Sequence, residues 1–204
     1  MLNMIADPRR FAPAAARNRG PILEVLRTVL PAEGAVLEVA SGSGEHAVAF
    51  ADALPGLRWI ATDPDPENRA SIQGWIDATG IRSVCGPLDL DAASADWPVD
   101  RADAVVCVNM IHIAPWEACL GLLAGAARVL PAGAPLYLYG PFRRGGAHTA
   151  PSNAEFDASL RARDPAWGVR DLEAVTEAAE RAGFHPDRVV EMPANNLSVV
   201  FRRR

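Results

Sequence analysis

The sequence predicts an α/β fold: a mostly parallel, seven-stranded, Rossmann-like sheet with helices on both faces and an antiparallel hairpin at its C-terminal end. Three observations predict it. From about residue 35 onward, short aliphatic or β-branched runs alternate with longer stretches of helical periodicity, the rhythm of repeated β-α units. The last two apolar runs are joined only by Met192-Pro193-Ala194-Asn195-Asn196, too short for the crossover helix that parallel neighbours require, so these two pair antiparallel. Half of the 204 residues are apolar, enough for one sizeable core, and no shift of composition divides the chain, so residues 1–204 are expected to form a single domain.

The strands are expected at 35–40, 58–62, 83–88, 104–109, 135–139, 188–191 and 197–202. Helical patterns fill the gaps at 45–53, 66–79, 115–130 and 171–182, and Gly183 stands where a left-handed residue closes the last of them. The segment 141–170 differs. It is rich in Gly, Arg, Asn and Pro, carries a short helical pattern at 154–163, and reads as a long insertion over the strand ends, the edge of an open α/β sheet where ligands are handled. There is no internal repeat, and the closing Arg202-Arg203-Arg204 is too short for a binding tail.

Charge and composition exclude several classes of function. A formal charge of -5 and a pI near 5.4 speak against a nucleic-acid partner, because phosphate affinity needs many basic groups. No run approaches the roughly 20 apolar residues of a membrane helix, and the first twenty residues lack the apolar core of a secretory signal, so no membrane partner and a cytoplasmic location are expected. Cys85, Cys107 and Cys119 are odd in number, widely spaced and set among apolar residues, as small core residues of a reducing compartment are. His46, His112, His148 and His185 lack close ligand spacing, and no metal site is expected.

The strongest signal is residues 36–51, VLEVASGSGEHAVAFA, in which an apolar strand runs through small residues into an amphipathic helix. Gly42 and Gly44 allow positive φ and let a ligand approach the backbone, with Ser41 between strand and glycines. About 20 residues on, the second strand ends at Asp63-Pro64, where a carboxylate can accept from both hydroxyls of a ribose. A nucleoside ligand follows. The run Gly42 to Ala47 also satisfies a dinucleotide pattern, so the glycines alone do not separate NAD from S-adenosylmethionine. Glu38 helps to separate them, because a carboxylate repels a pyrophosphate and suits a sulfonium and ammonium ligand.

Glu38-x-Ala40-x-Gly42-x-Gly44 resembles the acidic-x-Gly-x-Gly-x-Gly motif of class I methyltransferases, with Ala40 in place of the first glycine, a change of one methyl that should be tolerated. The resemblance to a small methyltransferase-like family of long-undefined substrate runs nearly end to end, through RNRGPIL at 17–23, VCVNMIHIAPW at 106–116, YGPF at 139–142, SNAEFDASLRARDPAWGVRD at 152–171 and MPANNLSVVFR at 192–202. It implies the class I methyltransferase sheet, S-adenosylmethionine as cofactor and S-adenosylhomocysteine as product, and it brings no acceptor. It further implies that Leu90 and Asp91, with Asp89 in competition, meet the adenine, and that Asn109 and Met110 face the methionine end. Residues 1–30 would form a helical lid, with Arg17 and Asn18 preceding its helix and Arg17 meeting the methionine carboxylate.

Methyl transfer needs positioning of the acceptor and, for some acceptors, removal of its proton. His112 is the candidate base, its alternative being a packed, hydrogen-bonded histidine. Tyr139 is the candidate to align an acceptor, or else a half-buried packing residue. Arg143, with Arg144, Arg161, Arg163 and Arg170, could converge on an anionic acceptor or pair with Asp157, Asp164 and Asp171. Asn195 and Asn196 either recognise the acceptor from the pocket rim or supply a turn. The expectation is methyl transfer to a small-molecule acceptor by a monomer or homodimer. Two alternatives stand beside it: an NAD(P)-dependent Rossmann oxidoreductase, disfavoured by Glu38 and by the lack of Tyr-x-x-x-Lys, and a non-catalytic S-adenosylmethionine-binding protein.

Overall fold

The computed structural model describes residues 7–204. The first six, which fall within both the expected lid and the stretch read for a secretory signal, lie outside the described residues. In chain order the elements are α1 (Pro13–Val29), β1 (Gly34–Glu38), α2 (Glu45–Ala53), β2 (Leu57–Thr62), α3 (Pro66–Thr79), β3 (Val84–Leu88) and β4 (Ala104–Val108). A 3-10 turn (Met110–His112) precedes α4 (Trp116–Val129) and β5 (Pro135–Arg144), followed by β6 (Ala147–His148), α5 (Pro151–Arg163), β7 (Arg170–Asp171) and α6 (Leu172–Arg181). The chain ends in β8 (Phe184–Met192), a second 3-10 turn (Pro193–Asn195) and β9 (Asn196–Arg203).

The main sheet runs β3-β2-β1-β4-β5-β9-β8, the seven strands expected, parallel from β3 through β5 and antiparallel at β5-β9 and β9-β8. Met192 opposes Asn196 across the short connection that required the hairpin. Two further strands were not expected. β6 and β7 have two residues each and pair with the outer part of β5, which continues through Pro141 to Arg144. The segment 141–170 holds the end of β5, the β6 turn and α5, which starts at Pro151 rather than 154. β1 and β4 end one or two residues earlier than expected, because Ala40 (φ +59°) and Asn109 (φ +64°) turn the chain into the left-handed region.

Strand alternation divides the core. Val36, Ala104, Val106, Tyr137, Tyr139 and Val200 face one side and pack with Ile22 and Leu26 of α1, Phe50 of α2 and Ile72 of α3. Leu37, Val105, Cys107, Leu136, Leu138, Val199 and Phe201 face the other and pack with Leu122 and Ala126 of α4 and Val175 and Ala179 of α6. This is the period-2 signature of a sheet covered on both faces. Burying each large side chain contributes about 1.5–3 kcal/mol. Local chemistry sets the helix ends. Asp65 caps α3 by accepting from the Glu67 amide at 2.9 Å, and Gly183 (φ +90°) follows α6 as expected. No helix of the described residues is long and apolar enough to cross a membrane.

A buried hydroxyl pair joins β5 to β9: Tyr137 Oη lies 2.6 Å from Ser198 Oγ, both sealed from water. Tyr137→Phe should cost about 1–3 kcal/mol in urea unfolding by orphaning Ser198, and Tyr137→Phe with Ser198→Ala should recover most of that loss. Additive losses in the double variant would show that the two hydroxyls do not depend on each other.

Candidate functional site

The C-terminal ends of β1, β2 and β4 converge on the turn that leads into α2. Ser41 donates its amide to the Thr62 carbonyl at 2.7 Å and its hydroxyl to Glu38 Oε2 at 2.9 Å. The Trp59 indole donates to the same Glu38 oxygen at 2.9 Å. Gly42 donates its amide to Asp63 Oδ2 at 2.9 Å, so the loop hangs from the end of β2. Two glycines have separate reasons. A Cβ on Gly42 (φ +58°) would meet nothing within 4 Å and project into open space, whereas one on Gly44 (φ +91°) would lie 2.8 Å from Ile72 Cα, too close for α2 to keep its packing on α3. Ala40, in the position of the motif's first glycine, holds φ +59°, at a cost of about 1–2 kcal/mol for an L-residue.

Two cavities open along this loop. The larger, of about 410 Å³, runs past Ala40, Gly42, Asp63, Pro64, Leu90, Asp91 and Met110, all expected residues, and also past Asp65, Asn68, Ile113 and Trp167. The smaller, of about 200 Å³, shares Ala40, Gly42, Val108 and Ile113 with it and is walled by Glu38, Ser41, Asn109, Asn18 and His46. Asp63 is almost fully buried, and its Oδ1 accepts from the Asp65 amide at 3.0 Å and from Asn68 Nδ2 at 3.1 Å. Asp91 lines the cavity and also accepts from the Ala93 amide at 2.9 Å. Its competitor Asp89 points outward to Arg69, 3.2 Å away.

Burial dominates the electrostatics here. Glu38 is 1 % exposed, and desolvation raises its pKa to about 7 against the pull of Trp59 and Ser41, with the charge of Asp63 adding to the rise. Desolvation, helped by Arg19, lowers His46 to about 4. Its Nε2 donates to Asn18 Oδ1 at 2.8 Å, because burial keeps the ring neutral and the amide oxygen can only accept.

The N-terminal segment closes the smaller cavity. The Arg10 amide donates to Ser71 Oγ at 2.8 Å and the Ala12 amide to Glu45 Oε2 at 2.5 Å, which brings Ala14, Ala15 and Asn18 over the glycine turn. Arg17 and Asn18 lie inside α1, not ahead of it. Arg17 lines neither of these cavities. It faces a third, of about 210 Å³, formed with Asn18, Tyr139, Pro193, Ala194 and Asn196. Burial raises the Tyr139 hydroxyl pKa, a rise opposed by a hydrogen bond from Asn18.

Several expected residues stand elsewhere. His112 is fully buried against Phe142, with ring centroids 4.9 Å apart, and lines none of the three cavities. Its Nδ1 accepts from the Arg170 amide at 3.2 Å, its Nε2 lacks a partner, and desolvation lowers its pKa to about 3. These are the features of a packed histidine rather than an exposed base. The arginines do not converge. Arg143 sits on β5 opposite His148 and Asp171, with a buried Nε and no place in the three cavities. Arg144 pairs with Glu191, Arg161 with Asp157, and Arg163 lies over Trp167. Arg170 donates to the carbonyls of Ile111 (2.8 Å) and Ala114 (2.5 Å), tying the Trp167 loop to the 3-10 turn after β4. Asn195 binds α5 through Ser152 and Asn153, as a turn residue.

Asn68, His46, Ile113 and Trp167 were missed. His46 and Asn68 carried a signal, standing two residues past the second glycine and in the first turn after Asp63. Ile113 lies inside the quoted strand-four stretch. Trp167 carried none, since contacts distant in sequence, among them the Arg170 side chain and the Gly168 amide bonded to the His112 carbonyl, bring its loop to the cavity.

The buried carboxyl makes stability depend on pH. Because the folded pKa of Glu38 lies above the ordinary 4.5, its contribution is complete below pH 4.5 and is lost as pH rises through about 7. Glu38→Gln keeps an acceptor for Ser41 and Trp59 but cannot ionise. Its stability relative to the unsubstituted protein should climb between pH 5 and pH 8, by up to about 3 kcal/mol at about 1.4 kcal/mol per pH unit. Urea midpoints at the two pH values check this, and a difference that stays flat would mean the carboxyl ionises freely.

The same architecture recurs in solved structures. The mitomycin 7-O-methyltransferase MmcR is matched with a TM-score of 0.80 at 18% identity, over 94% of this chain and 54% of that one. An O-methyltransferase family protein from Burkholderia thailandensis gives 0.79 at 17% identity, over 93% and 57%. CalO1, a methyltransferase in calicheamicin biosynthesis in S-adenosylhomocysteine-bound form, gives 0.74 at 21% identity, over 94% and 55%. The chain thus spans little more than half the length of these structures and shares with them the class I methyltransferase fold. A family model matches residues 9–203, nearly the whole length described, and the chain belongs to that family, described as "Protein of unknown function (DUF938)".

Proposed function

We propose that this protein is an S-adenosylmethionine-dependent methyltransferase acting on a small, anionic acceptor. We read residues 1–204 as one cytoplasmic domain, monomeric or homodimeric, with residues 1–30 as its lid and 141–170 covering the site. One observation carries the reading: two joined cavities meet at the glycine turn, with Asp63 in the wall of the larger and buried Glu38 in the smaller.

The residues present fit this cofactor. Space opens over Gly42, where a Cβ would point. Asp63 and Asn68 offer polar partners for a ribose, and Leu90 and Asp91 offer an apolar face and an acceptor for an adenine. Glu38, whose burial is costly without a positive partner, suits the ammonium and sulfonium end and opposes a pyrophosphate, which weighs against NAD. The bound cofactor would supply a methyl group already activated on a positively charged sulfur. The chain's own task is to bind, orient and exclude water. The small-molecule methyltransferases among the matched structures support the same reading.

Calorimetric titration with S-adenosylmethionine, S-adenosylhomocysteine and NAD tests it. Both sulfur ligands should bind. Asp63→Asn should weaken them about 10- to 100-fold, the worth of a hydrogen bond to a charged group, and Gly42→Trp, folded by circular dichroism, should abolish them. Binding of NAD alone would overturn the proposal.

A further inference from the structure

We infer that the acceptor occupies the third cavity, between α1, the end of β5 and the turn joining β8 to β9, and that it is a small molecule whose anionic group pairs with Arg17 while its oxygen or sulfur nucleophile arrives already ionised. The inference rests on the methyl-transfer reading and adds the acceptor's place and chemistry.

Ala14, Arg17, Asn18 and Pro21 follow one another at i, i+3, i+4 and i+7, so a single face of α1 forms one wall. The opposite wall holds Tyr139, Ala194 and Asn196. At about 210 Å³ the cavity holds roughly seven waters at about 30 Å³ each, room for a small organic acid. Ala14 and Asn18 also line the smaller cofactor cavity, so the two spaces adjoin. The backbone marks the same continuity. Ala40, Asn109, Ala194 and Asn195 are the non-glycine residues at positive φ among those described; three line these cavities and Asn195 adjoins one. Such strain persists where the surroundings enforce it, often at functional sites.

The polar groups define what can bind. Arg17 is the charged side chain in this lining, no carboxylate accompanies it there, and it belongs to no ion pair among the described residues. A carboxylate or phosphate on the acceptor would complete it. Asn18, whose oxygen accepts from His46, lines the same cavity as the Tyr139 hydroxyl. Burial holds the proton on Tyr139, so it can donate, and a hydrogen bond from it favours the ionised form of the nucleophile.

A general base is missing from this wall. The lining holds neither carboxylate nor imidazole, Tyr139 stays protonated, and His112 is sealed behind Gly140. The proton must be gone before the methyl moves. In the balanced step a lone pair on the acceptor's O⁻ or S⁻ forms the new bond to the methyl carbon as the bond from that carbon to the sulfonium sulfur breaks. The two charges cancel, and no proton needs a destination. Phenolates and thiolates qualify, and simple alcohols do not.

The test offers thiosalicylate and 4-hydroxybenzoate, with benzyl alcohol and 4-hydroxybenzamide as neutral controls, and follows S-adenosylhomocysteine formation while calorimetry follows cofactor affinity. The acids should be methylated and the neutral probes should not. Arg17→Gln should raise KM for the acids at least tenfold and leave S-adenosylmethionine affinity within twofold, and Arg17→Lys should restore part of the loss. Tyr139→Phe should lower kcat and move the acidic limb of the pH profile upward, toward the acceptor's own pKa. Equal turnover of benzyl alcohol, turnover of none of the acids by a protein that binds the cofactor, or an Arg17→Gln loss that falls on the cofactor would each overturn the inference. Failure of the unsubstituted protein to bind S-adenosylmethionine would instead overturn the methyl-transfer reading beneath it.

Discussion

The site depends on one buried carboxyl. Glu38 ends β1 with Oε2 shared between the Ser41 hydroxyl and the Trp59 indole, while its carbonyl accepts from Thr62 Oγ1 at 2.8 Å. These bonds lock the ends of β1 and β2 in register and aim the glycine turn, and the Asp63 bond to the Gly42 amide completes the lock. A group so deeply buried is tolerated because its donors are fixed, and once ionised it places negative potential at the base of the cleft. Ala40 is held in its left-handed conformation between two anchored neighbours, the Val39 amide bonded to the Val106 carbonyl and the Ser41 amide to that of Thr62.

The rest of the fold serves that junction from two directions. On one face, α1 is drawn across the turn by the Arg10 and Ala12 amides and so contributes walls to two cavities at once. On the other, Arg170 fastens the loop bearing Trp167 to carbonyls of the turn after β4. The His112 ring is part of this fastening: its Nδ1 takes the Arg170 amide and its carbonyl takes the Gly168 amide at 2.9 Å. A histidine in a quoted motif thus acts through backbone geometry.

Much of this was legible in the sequence, for reasons that particular residues show. Strand positions, the antiparallel ending and the glycine turn are local matters: alternation, the length of the 192–196 connection, and small residues between a strand and a helix. Asp63, Leu90 and Asp91 reach the cavity because they follow closely on the ends of β2 and β3. What escaped were properties of tertiary neighbours. Arg143 looks identical to a ligand-binding arginine until β6 and β7 enclose it, and two-residue strands carry no periodic signal. Arg17 lines the third cavity rather than the two along the glycine turn because it shares one face of α1 with Ala14, Asn18 and Pro21, a grouping that only the helix bounds and the position of the β8-β9 turn reveal.

The charges along the cleft form a sequence with a physical consequence. Its inner part holds Asp63 and Glu38, whose ionisation the charge of Asp63 disfavours, while its outer part holds Arg17 with no acid in the lining. In a region of reduced dielectric, unit charges several Å apart interact by a few kcal/mol at an effective dielectric of about 20. Where Glu38 is ionised, an anion is therefore disfavoured in the inner cavity and favoured at the outer one, and a cation is sorted the opposite way. On the methyl-transfer reading, the two reactants would then be separated by charge until they face each other across Asn18, where both cavities meet. A nucleophile that carried its proton inward would find no group in the outer wall to take it, so the same arrangement that sorts the ligands also limits which acceptors can react.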